Sequence, residues 1–259
     1  MMADKQIIAL GGGGFSMEES PLLDDYVIHA CKKDKPKICF VPTASGDAES
    51  YTVRFYRRFA ATNCRATDLE LVRRKVTDLE DFACSQDVIY VGGGNTANML
   101  AVWRTHGFDN ALKAALLTGT ILTGLSAGSI CWFEQGVTDS FGAELQPMDC
   151  LGFLPGSNCP HYDGEAERRP AYHRMVIAGM LDGYAADDGV GLHFINGTLQ
   201  HVVSSRPAAK GYRVALRGET VTETPLETRF LGDRTDEPSD ARETSASSDL
   251  NSNFTPRSP

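Results

Sequence analysis

The sequence predicts an α/β fold, with a mostly parallel sheet and helices on both faces. In the first half of the chain, short apolar runs rich in β-favouring residues alternate with segments of helical periodicity. Most of these runs end in glycine or other turn-forming residues. Strands that alternate with helices need crossover connections, and these make neighbouring strands parallel. A chain of 259 residues, 42% apolar and 23% charged, is long enough for one large globular domain.

Five strands are predicted, at residues 6–10, 37–41, 66–71, 87–91 and 120–123. The helices predicted in the same half cover residues 21–33, 50–62, 77–83, 96–103 and 108–117, and a later helical pattern covers 171–181. From residue 232 onwards the chain is rich in Asp, Glu, Ser, Thr, Arg and Pro, which bury too little apolar surface to offset their ordering entropy. We therefore predict one α/β domain at residues 1–231 and a disordered tail at 232–259.

Glycine-rich loops follow several of the predicted strands. In sheets of this class the ligand sits at the carboxyl ends of the strands, so these loops are candidate site segments. The run at 11–14 lacks the third glycine of a dinucleotide fingerprint and the lysine of a phosphate-binding loop, so we expect close backbone approach there. The loop at 92–96, Gly-Gly-Gly-Asn-Thr, precedes a predicted helix that Asn95 or Thr96 can cap. Its amides can therefore stabilise an anion.

Residues 124–128, Gly-Leu-Ser-Ala-Gly, have the spacing of a serine nucleophile on a strand-to-helix elbow. Glycines two residues either side of the serine leave room for the sharp turn, which exposes the hydroxyl of Ser126. The turn also aims the amide of Ala127 at an oxyanion. A glycine-flanked turn with an ordinary serine is the alternative interpretation of these five residues.

A serine nucleophile needs a histidine base and an acid that orients the imidazole. The six histidines are His29, His106, His161, His173, His193 and His201. His161 stands among turn-forming residues, the loop setting in which catalytic groups are common. The acid candidates are Asp187 and Asp188, which form a turn before Gly189, and Asp139. Asp163 is too close to His161 in sequence to be an obvious orienting group.

Four segments together resemble peptidase family S51, which contains aspartyl dipeptidase (peptidase E) and cyanophycinase. They are the loop at 92–96, the elbow at 124–128, the Pro160-His161 pair and the Asp188-Gly189 turn, in matching order over roughly residues 5 to 230. The resemblance implies a flavodoxin-like three-layer sandwich similar to class I glutamine amidotransferases, with serine in place of cysteine at the elbow. It implies a serine hydrolase that needs no metal or other cofactor.

The resemblance also implies roles for individual residues. Ser126 is the nucleophile and His161 the general base. Ala127 and a glycine of the pair Gly93 and Gly94 form the oxyanion hole. The third triad position is glutamate in the dipeptidases; here Asp188 falls there, one methylene shorter, and Asp139 matches a second acidic position.

Substrate choice rests on the residues after the histidine loop. The aspartyl dipeptidases cleave dipeptides with an N-terminal Asp and bind that side chain with an arginine, a role for which this chain offers Arg168 or Arg169. A guanidinium fork suits a carboxylate. The alternative is a solvated basic pair that compensates Glu165 and Glu167. We expect a serine peptidase of small peptides, with dipeptides that begin with Asp as candidate substrates.

Composition limits the partners. A net charge of -9 argues against a nucleic-acid surface, and no apolar run approaches the roughly 18 residues of a membrane span. Seven cysteines with no Cys-x-x-Cys pair argue against a disulfide framework or a zinc site. With no signal-peptide core before residue 6, these features predict a cytoplasmic protein, monomeric or homodimeric.

Two rival functions remain open. An α/β-hydrolase esterase uses the same elbow in the chain order Ser, Asp, His, which Asp188 followed by His193 or His201 would supply. A non-catalytic protein with an amidotransferase-like pocket for a small acidic ligand is the other. Such a binding protein has no need of Ser126, His161 and Asp188 together.

Overall fold

The computed structural model describes residues 3–17 and 20–233, so the predicted disordered tail lies outside the described residues from 234 onwards. The strands are β1 Gln6–Leu10, β2 Lys37–Val41, β3 Arg65–Asp68, β4 Val88–Val91, β5 Ile121–Leu125, β6 Phe133–Thr138, β7 Gln146–Asp149, β8 Leu154–Cys159, β9 Gly183–Ala186, β10 Val190–Ile195, β11 Thr198–Ser204, β12 Gly211–Arg217, β13 Thr220–Pro225 and β14 Arg229–Phe230. The helices are α1 Leu22–Ala30, α2 Glu49–Phe59, α3 Leu79–Cys84, α4 Thr96–His106, α5 Phe108–Thr118, α6 Ala127–Ile130 and α7 Arg168–Ile177.

The five predicted strands are the parallel part of an eight-stranded sheet with the order β14-β11-β10-β1-β5-β4-β2-β3. β1, β5, β4, β2 and β3 pair in parallel, whereas β10 pairs antiparallel with both β1 and β11. The parallel strands all end at one edge of the sheet. The glycine-rich loops at 11–14 and 92–96 and the elbow at 124–128 therefore meet there, as the sequence predicts.

Helices cover both faces of this sheet because successive side chains of each strand point in opposite directions. In β1, Ile7 and Ala9 pack in a core with α3, α4 and α5, whereas Ile8 and Leu10 pack with α1 and α2. The prediction of an α/β fold with helices on both faces is confirmed.

The second half of the chain forms a further sheet that the sequence analysis did not identify. Its order is β13-β12-β9-β8-β6-β7, with mixed parallel and antiparallel pairs. Buried residues of this sheet, such as Phe133, Leu154 and Ala186, join the core that contains Ile7. The strand signal is weak here because β8 has the sequence Leu-Pro-Gly-Ser-Asn-Cys, with two residues that are rare inside strands.

Several predicted bounds shift by a few residues. The late helix covers Arg168–Ile177 rather than 171–181, and the third strand ends at Asp68 rather than at residue 71. The helix after the elbow is a single turn, Ala127–Ile130, and the chain is again a strand from Phe133. Element ends are weakly specified by local sequence, because packing decides where the last hydrogen bond forms.

Candidate active site

At the carboxyl edge of the large sheet, backbone hydrogen bonds join neighbouring segments in two pairs. Ser126, directly after β5, donates its N–H to the Leu10 carbonyl of β1 at 3.4 Å. The N–H of Gly92, directly after β4, donates to the Val41 carbonyl of β2 at 3.1 Å, and that of Asn95 donates to Ala44 at 2.8 Å. Parallel pairing brings these strand ends side by side, and the small residues after them let the backbones touch.

Ser126 occupies a strained elbow. Its backbone has φ 55° and ψ -115°, a conformation that non-glycine residues avoid. A Cβ atom at position 124 would lie 2.5 Å from the Gly128 carbonyl oxygen and 2.6 Å from that of Val91, so both elbow glycines stand where no side chain fits. Between residues 120 and 133, Ser126 is the one residue that is not buried. The fold thus leaves this serine partly exposed and buries its neighbours.

His161 lies beside the same strand end. It follows β8 in a left-handed backbone conformation, with φ 55°, and donates its N–H to the Gly11 carbonyl at 2.9 Å. Because Ser126 binds Leu10 and His161 binds Gly11, consecutive residues of one loop anchor both. Ser126 Oγ itself has no hydrogen-bond partner within residues 3–17 and 20–233, so its hydroxyl is not engaged elsewhere in the described chain.

Asp188 is the acid that meets His161. His161 Nδ1 donates to Asp188 Oδ1 at 2.6 Å, across 27 residues of sequence. Their side chains are 10% and 21% exposed. A carboxylate only accepts hydrogen bonds, so Nδ1 carries the proton and Nε2 keeps its lone pair. The pair therefore has the tautomer that a general base requires.

The glycine run at 11–14 makes room for this pair. A Cβ atom at position 12 would overlap Asp188 Oδ1 and would lie 2.9 Å from His161 Nδ1. A Cβ atom at Gly164 would overlap Asp188 Oδ2. The predicted close backbone approach at residues 11–14 is therefore seen, and the groups that approach are those of the histidine–aspartate pair.

The loop after β4 lies against the elbow. A Cβ atom at Gly93 would lie 3.1 Å from Ser126 Cβ, and one at Gly94 would overlap the Ala44 carbonyl oxygen. The Gly93 N–H donates to the Tyr51 hydroxyl at 3.2 Å. The N–H groups of Gly94 and Ala127 have no such partner in the described part of the chain. Those two amides are free to bind an anion.

Asp139, the alternative acid, is exposed, and the Nδ1 atom of His161 is hydrogen-bonded to Asp188. It lies in the turn after β6, where its carbonyl accepts the N–H of Gly142 at 3.3 Å. The next residue, Ser140, bonds to Asn95 and to the first turn of α4, which places this turn beside the glycine loop after β4.

Both candidate substrate arginines are engaged. Arg168 is 4% exposed. Its Nε and Nη2 donate to the two oxygens of Glu165 at 2.7 and 3.3 Å, and its Nη1 donates to the Val137 carbonyl at 3.2 Å. Arg169 pairs with Glu223 at 3.1 Å and lies over the rings of Tyr162 and Tyr212. Arg168 thus already holds one carboxylate in a bidentate fork.

His193 and His201, the candidate bases of the esterase alternative, lie on neighbouring strands of the large sheet. His193 lies opposite Ile8 in the β1–β10 pair, and its two ring nitrogens bond to Tyr26 at 2.8 Å and Gln6 at 3.0 Å. His201 is the partner of His193 on β11. Burial lowers the pKa of His193 to about 4. Asp188, the candidate acid of the esterase alternative, is hydrogen-bonded to His161.

Sequence reasoning missed the groups around the acid. Asp163 Oδ1 accepts the N–H of Asp188 at 2.8 Å, and Arg206 Nη1 donates to the Asp188 carbonyl at 2.9 Å. The position of Asp163 in the same loop as His161 is a local signal for the first of these two contacts. Nothing in the local sequence marks Arg206, because it follows β11 and reaches Asp188 only through the fold.

The cysteines Cys131 and Cys159 of the described chain are fully buried. Burial raises the pKa of the Cys131 thiol well above its ordinary value and that of Cys159 to about 12, so neither is a thiolate nucleophile near neutral pH. No group of three or more His, Cys, Asp and Glu side chains is arranged to hold a metal ion in this part of the chain. Within the same residues, every helix is too short or too polar to cross a bilayer.

Comparisons with known proteins agree with this architecture. The family model of peptidase family S51 matches residues 7–202. The uncharacterized peptidase YgaJ of Bacillus subtilis (strain 168) is 52% identical over 230 residues, which cover 88% of this chain and 100% of that protein. Peptidase E of Citrobacter koseri is 26% identical over 151 residues, 54% of this chain and 64% of that protein.

A solved structure has the same fold. The crystal structure of a peptidase from an acI-B1 actinobacterium matches with a TM-score of 0.68 and 14% identity, over 87% of this chain and 98% of that one.

Proposed function

Because this chain belongs to peptidase family S51, we propose that it is a serine-type peptidase that hydrolyses small peptides through Ser126, His161 and Asp188. The observation that carries the proposal is the 2.6 Å hydrogen bond between His161 and Asp188. It forms beside the strained elbow of Ser126, and residues 10 and 11 anchor both segments. The elbow, the base and the acid are the three components of acyl transfer by a serine enzyme.

The first half of the reaction forms an acyl-enzyme. Ser126 Oγ attacks the scissile carbonyl carbon as His161 Nε2 takes the hydroxyl proton. The negative charge of Asp188 stabilises the resulting imidazolium. When the carbon–nitrogen bond breaks, the imidazolium passes its proton to the leaving amine, and the acyl group remains on Ser126 as an ester.

Backbone amides stabilise the oxyanion of the tetrahedral intermediate. We assign this role to Ala127 and Gly94, because the Gly93 N–H is held by Tyr51. Ala127 is the first residue of α6, so its N–H is not needed for the helix. Removal of one such donor typically costs about 10²- to 10³-fold in kcat.

Water completes the cycle. His161 Nε2 takes a proton from a water molecule, whose oxygen adds to the ester carbonyl. Collapse of the second tetrahedral intermediate releases the acid product, and Ser126 Oγ recovers its proton from His161. The cycle uses side chains, amides and water alone.

For the substrate, we propose dipeptides with an N-terminal Asp. Arg168 supports this choice because its fork already binds a carboxylate in bidentate geometry, the form best suited to Asp or Glu. The carboxylate bound there, Glu165, has a side chain 51% exposed, so it can swing into solvent. An aspartyl substrate would take the place of Glu165.

The experiment that tests the function compares three forms of the protein against Asp-Xaa, Glu-Xaa and neutral dipeptides. The wild type should release free amino acid, Ser126→Ala should lower kcat/KM by about 10⁴-fold or more, and Ser129→Ala should retain activity. Ser129 is a matched control, since it lies on α6, directly after the elbow, and its hydroxyl donates to Asn158 Oδ1 at 3.0 Å. Circular dichroism should show the same fold for all three.

A fluorophosphonate probe separates the rival functions. It should label wild-type protein at Ser126 and leave Ser126→Ala unlabelled. Absence of both labelling and hydrolysis would favour a non-catalytic ligand-binding protein. Labelling with ester hydrolysis but no dipeptide cleavage, together with full activity of His161→Ala, would favour the esterase.

We also place the enzyme in the cytoplasm. All seven cysteines lie in the described chain and all are free thiols. Free thiols in this number suit a reducing compartment.

A further inference from the structure

The carboxylate of Asp163 joins the loop of the base to the turn of the acid. Asp163 lies two residues after His161, and its Oδ1 accepts the backbone N–H of Asp188 at 2.8 Å. Its Oδ2 pairs with Arg206 Nη1 at 3.0 Å. One carboxylate thus contacts both the turn that carries the acid and a third segment of the chain.

Arg206 binds the backbone of Asp188 as well as the carboxylate of Asp163. Its Nη1 also donates to the backbone carbonyl of Asp188 at 2.9 Å. The N–H and the carbonyl of Asp188 are therefore both held, the first by Asp163 and the second by Arg206. The neighbouring residue Gly189 is fixed as well, because its N–H donates to Gly12 at 3.1 Å and its carbonyl accepts from Ser205 at 2.8 Å.

These contacts supplement others in the same turn, where the Asp187 N–H donates to the Lys210 carbonyl at 3.1 Å and the Val190 N–H donates to the Asp187 carbonyl at 3.1 Å. Asp188 stands between β9, in one sheet, and β10, in the other. Its carboxyl must meet His161, which arrives at the end of β8. A displacement of about 1 Å in such a constellation can cost about 10²-fold in rate.

We propose that Asp163 and Arg206 are positioning residues that hold the backbone of Asp188 so that its carboxylate stays bonded to His161. The proposal rests on the proposed function, in which Asp188 orients the base. Asp163 and Arg206 contact the backbone of Asp188 and each other, so the two residues act through Asp188. We call the two residues the Asp188 clamp.

The clamp contributes more to geometry than to stability. The side chains of Arg206 and Asp163 are 46% and 29% exposed, and ion pairs this open to water contribute little to the stability of the fold. Their loss should therefore leave the fold intact. It should change the position of a catalytic group.

The test combines kinetics with a spectroscopic signal that does not need turnover. The proton between His161 Nδ1 and Asp188 should give a downfield proton NMR resonance in the wild type, absent from Asp188→Asn. In Arg206→Ala and Asp163→Ala this resonance should weaken or shift, and kcat on the best dipeptide should fall by about 10- to 100-fold with little change in KM. Arg206→Lys, which keeps the charge and a donor, should recover most of the loss.

Arg217→Ala is the matched control. Arg217 also pairs with an aspartate, Asp182 at 3.5 Å, and its Nη1 donates to the Leu216 carbonyl at 3.1 Å. It makes the same kinds of contact as Arg206 without touching Asp188. This variant should keep the resonance, the kinetics and the melting temperature of the wild type.

The outcomes separate the clamp from the function on which it rests. If Arg206→Ala and Asp163→Ala keep both the resonance and kcat, the clamp is wrong. If the variants lose several degrees of melting temperature along with activity, and Arg206→Lys rescues neither, the residues are structural and the clamp is again wrong. A wild type that shows the resonance but hydrolyses nothing would overturn the peptidase and leave the clamp to be judged by the resonance alone.

Discussion

Gly12 and Asp188 are in contact in this fold, and the contact leaves no space for a side chain at position 12. A Cβ atom there would overlap Asp188 Oδ1 and crowd His161 Nδ1 at 2.9 Å. The four-glycine run after β1 thus serves the histidine–aspartate pair.

Gly12→Ala should therefore abolish most activity without unfolding the protein. The added methyl group pushes Asp188 away from His161, and we expect kcat/KM to fall by about 10²-fold or more. Steady-state kinetics and thermal unfolding would measure the two effects. Gly46→Ala is the control: Gly46 also lies in a loop after a strand, and a Cβ atom there meets nothing within 4 Å, although its φ of 70° adds some strain. Equal losses in both variants would contradict the steric explanation.

Asp188→Asn should lower kcat by about 10³- to 10⁴-fold, because an amide can donate to Nδ1 and stabilise the wrong tautomer. Asp139→Asn should change kcat by less than about threefold, since Asp139 is exposed and His161 Nδ1 is hydrogen-bonded to Asp188. Hydrolysis of one dipeptide by both variants measures the difference. A larger loss of kcat in Asp139→Asn than in Asp188→Asn would assign the role of the acid to Asp139.

Glu165→Gln should favour substrates with an N-terminal Asp. The neutral amide binds Arg168 less tightly than the carboxylate does, so an incoming carboxylate competes better by about fivefold, or about 1 kcal/mol. The measurement is the ratio of kcat/KM for Asp-Xaa and neutral dipeptides. Glu167→Gln, an exposed neighbour, should leave the ratio unchanged. A ratio unaffected by Glu165→Gln would remove Arg168 from substrate recognition.

Asp24 should make the protein more stable as the pH falls from about 6 to about 4. Its carboxyl is fully buried between Arg58 at 3.1 Å and the Tyr90 hydroxyl at 3.2 Å. Burial raises its pKa from 3.8 to about 6, with Arg58 opposing the shift. The folded state therefore holds a proton that the unfolded state releases, a contribution of up to about 3 kcal/mol that is complete below pH 4 and lost above pH 6. Urea unfolding at several pH values should show this slope in the wild type and not in Asp24→Asn.

His193 should act with the opposite sign. Burial, helped by His201, lowers its pKa from 6.5 to about 4, so the folded state disfavours the charged imidazole. Its contribution to stability is complete above pH 6.5 and is lost as the pH falls towards 4. His193→Gln should remove that acid sensitivity, as measured by the same unfolding experiment. An unchanged pH dependence in this variant would mean that His193 is protonated without cost.

The parts of the site that local sequence predicted are those with a local cause. The elbow needs glycines at 124 and 128 because of the turn itself, and their spacing is visible without a fold. The strands 6–10 and 37–41 have the predicted bounds because they are apolar after their first residue and are followed by Gly or Pro. The resemblance to family S51 rests on motifs of this kind, and it is confirmed by the family match over residues 7–202.

The second sheet could not be predicted in the same way. Its strands carry Pro, Gly and polar residues, and they are stable because their neighbours supply hydrogen bonds and apolar contacts. Propensity in a strand depends on the packing around it, so a short segment such as Leu154–Cys159 carries no local signature.

The sequence by itself thus determined which residue types could perform the chemistry: an exposed serine at an elbow, a histidine in a loop and an acid in a turn. Only the tertiary structure decided their partners. It paired His161 with Asp188 across 27 residues, engaged Arg168 with Glu165, and brought Arg206 to the Asp188 carbonyl. The physical reason is range: a turn depends on the backbone of a few residues, whereas a hydrogen bond between distant side chains depends on every strand and helix that carries them.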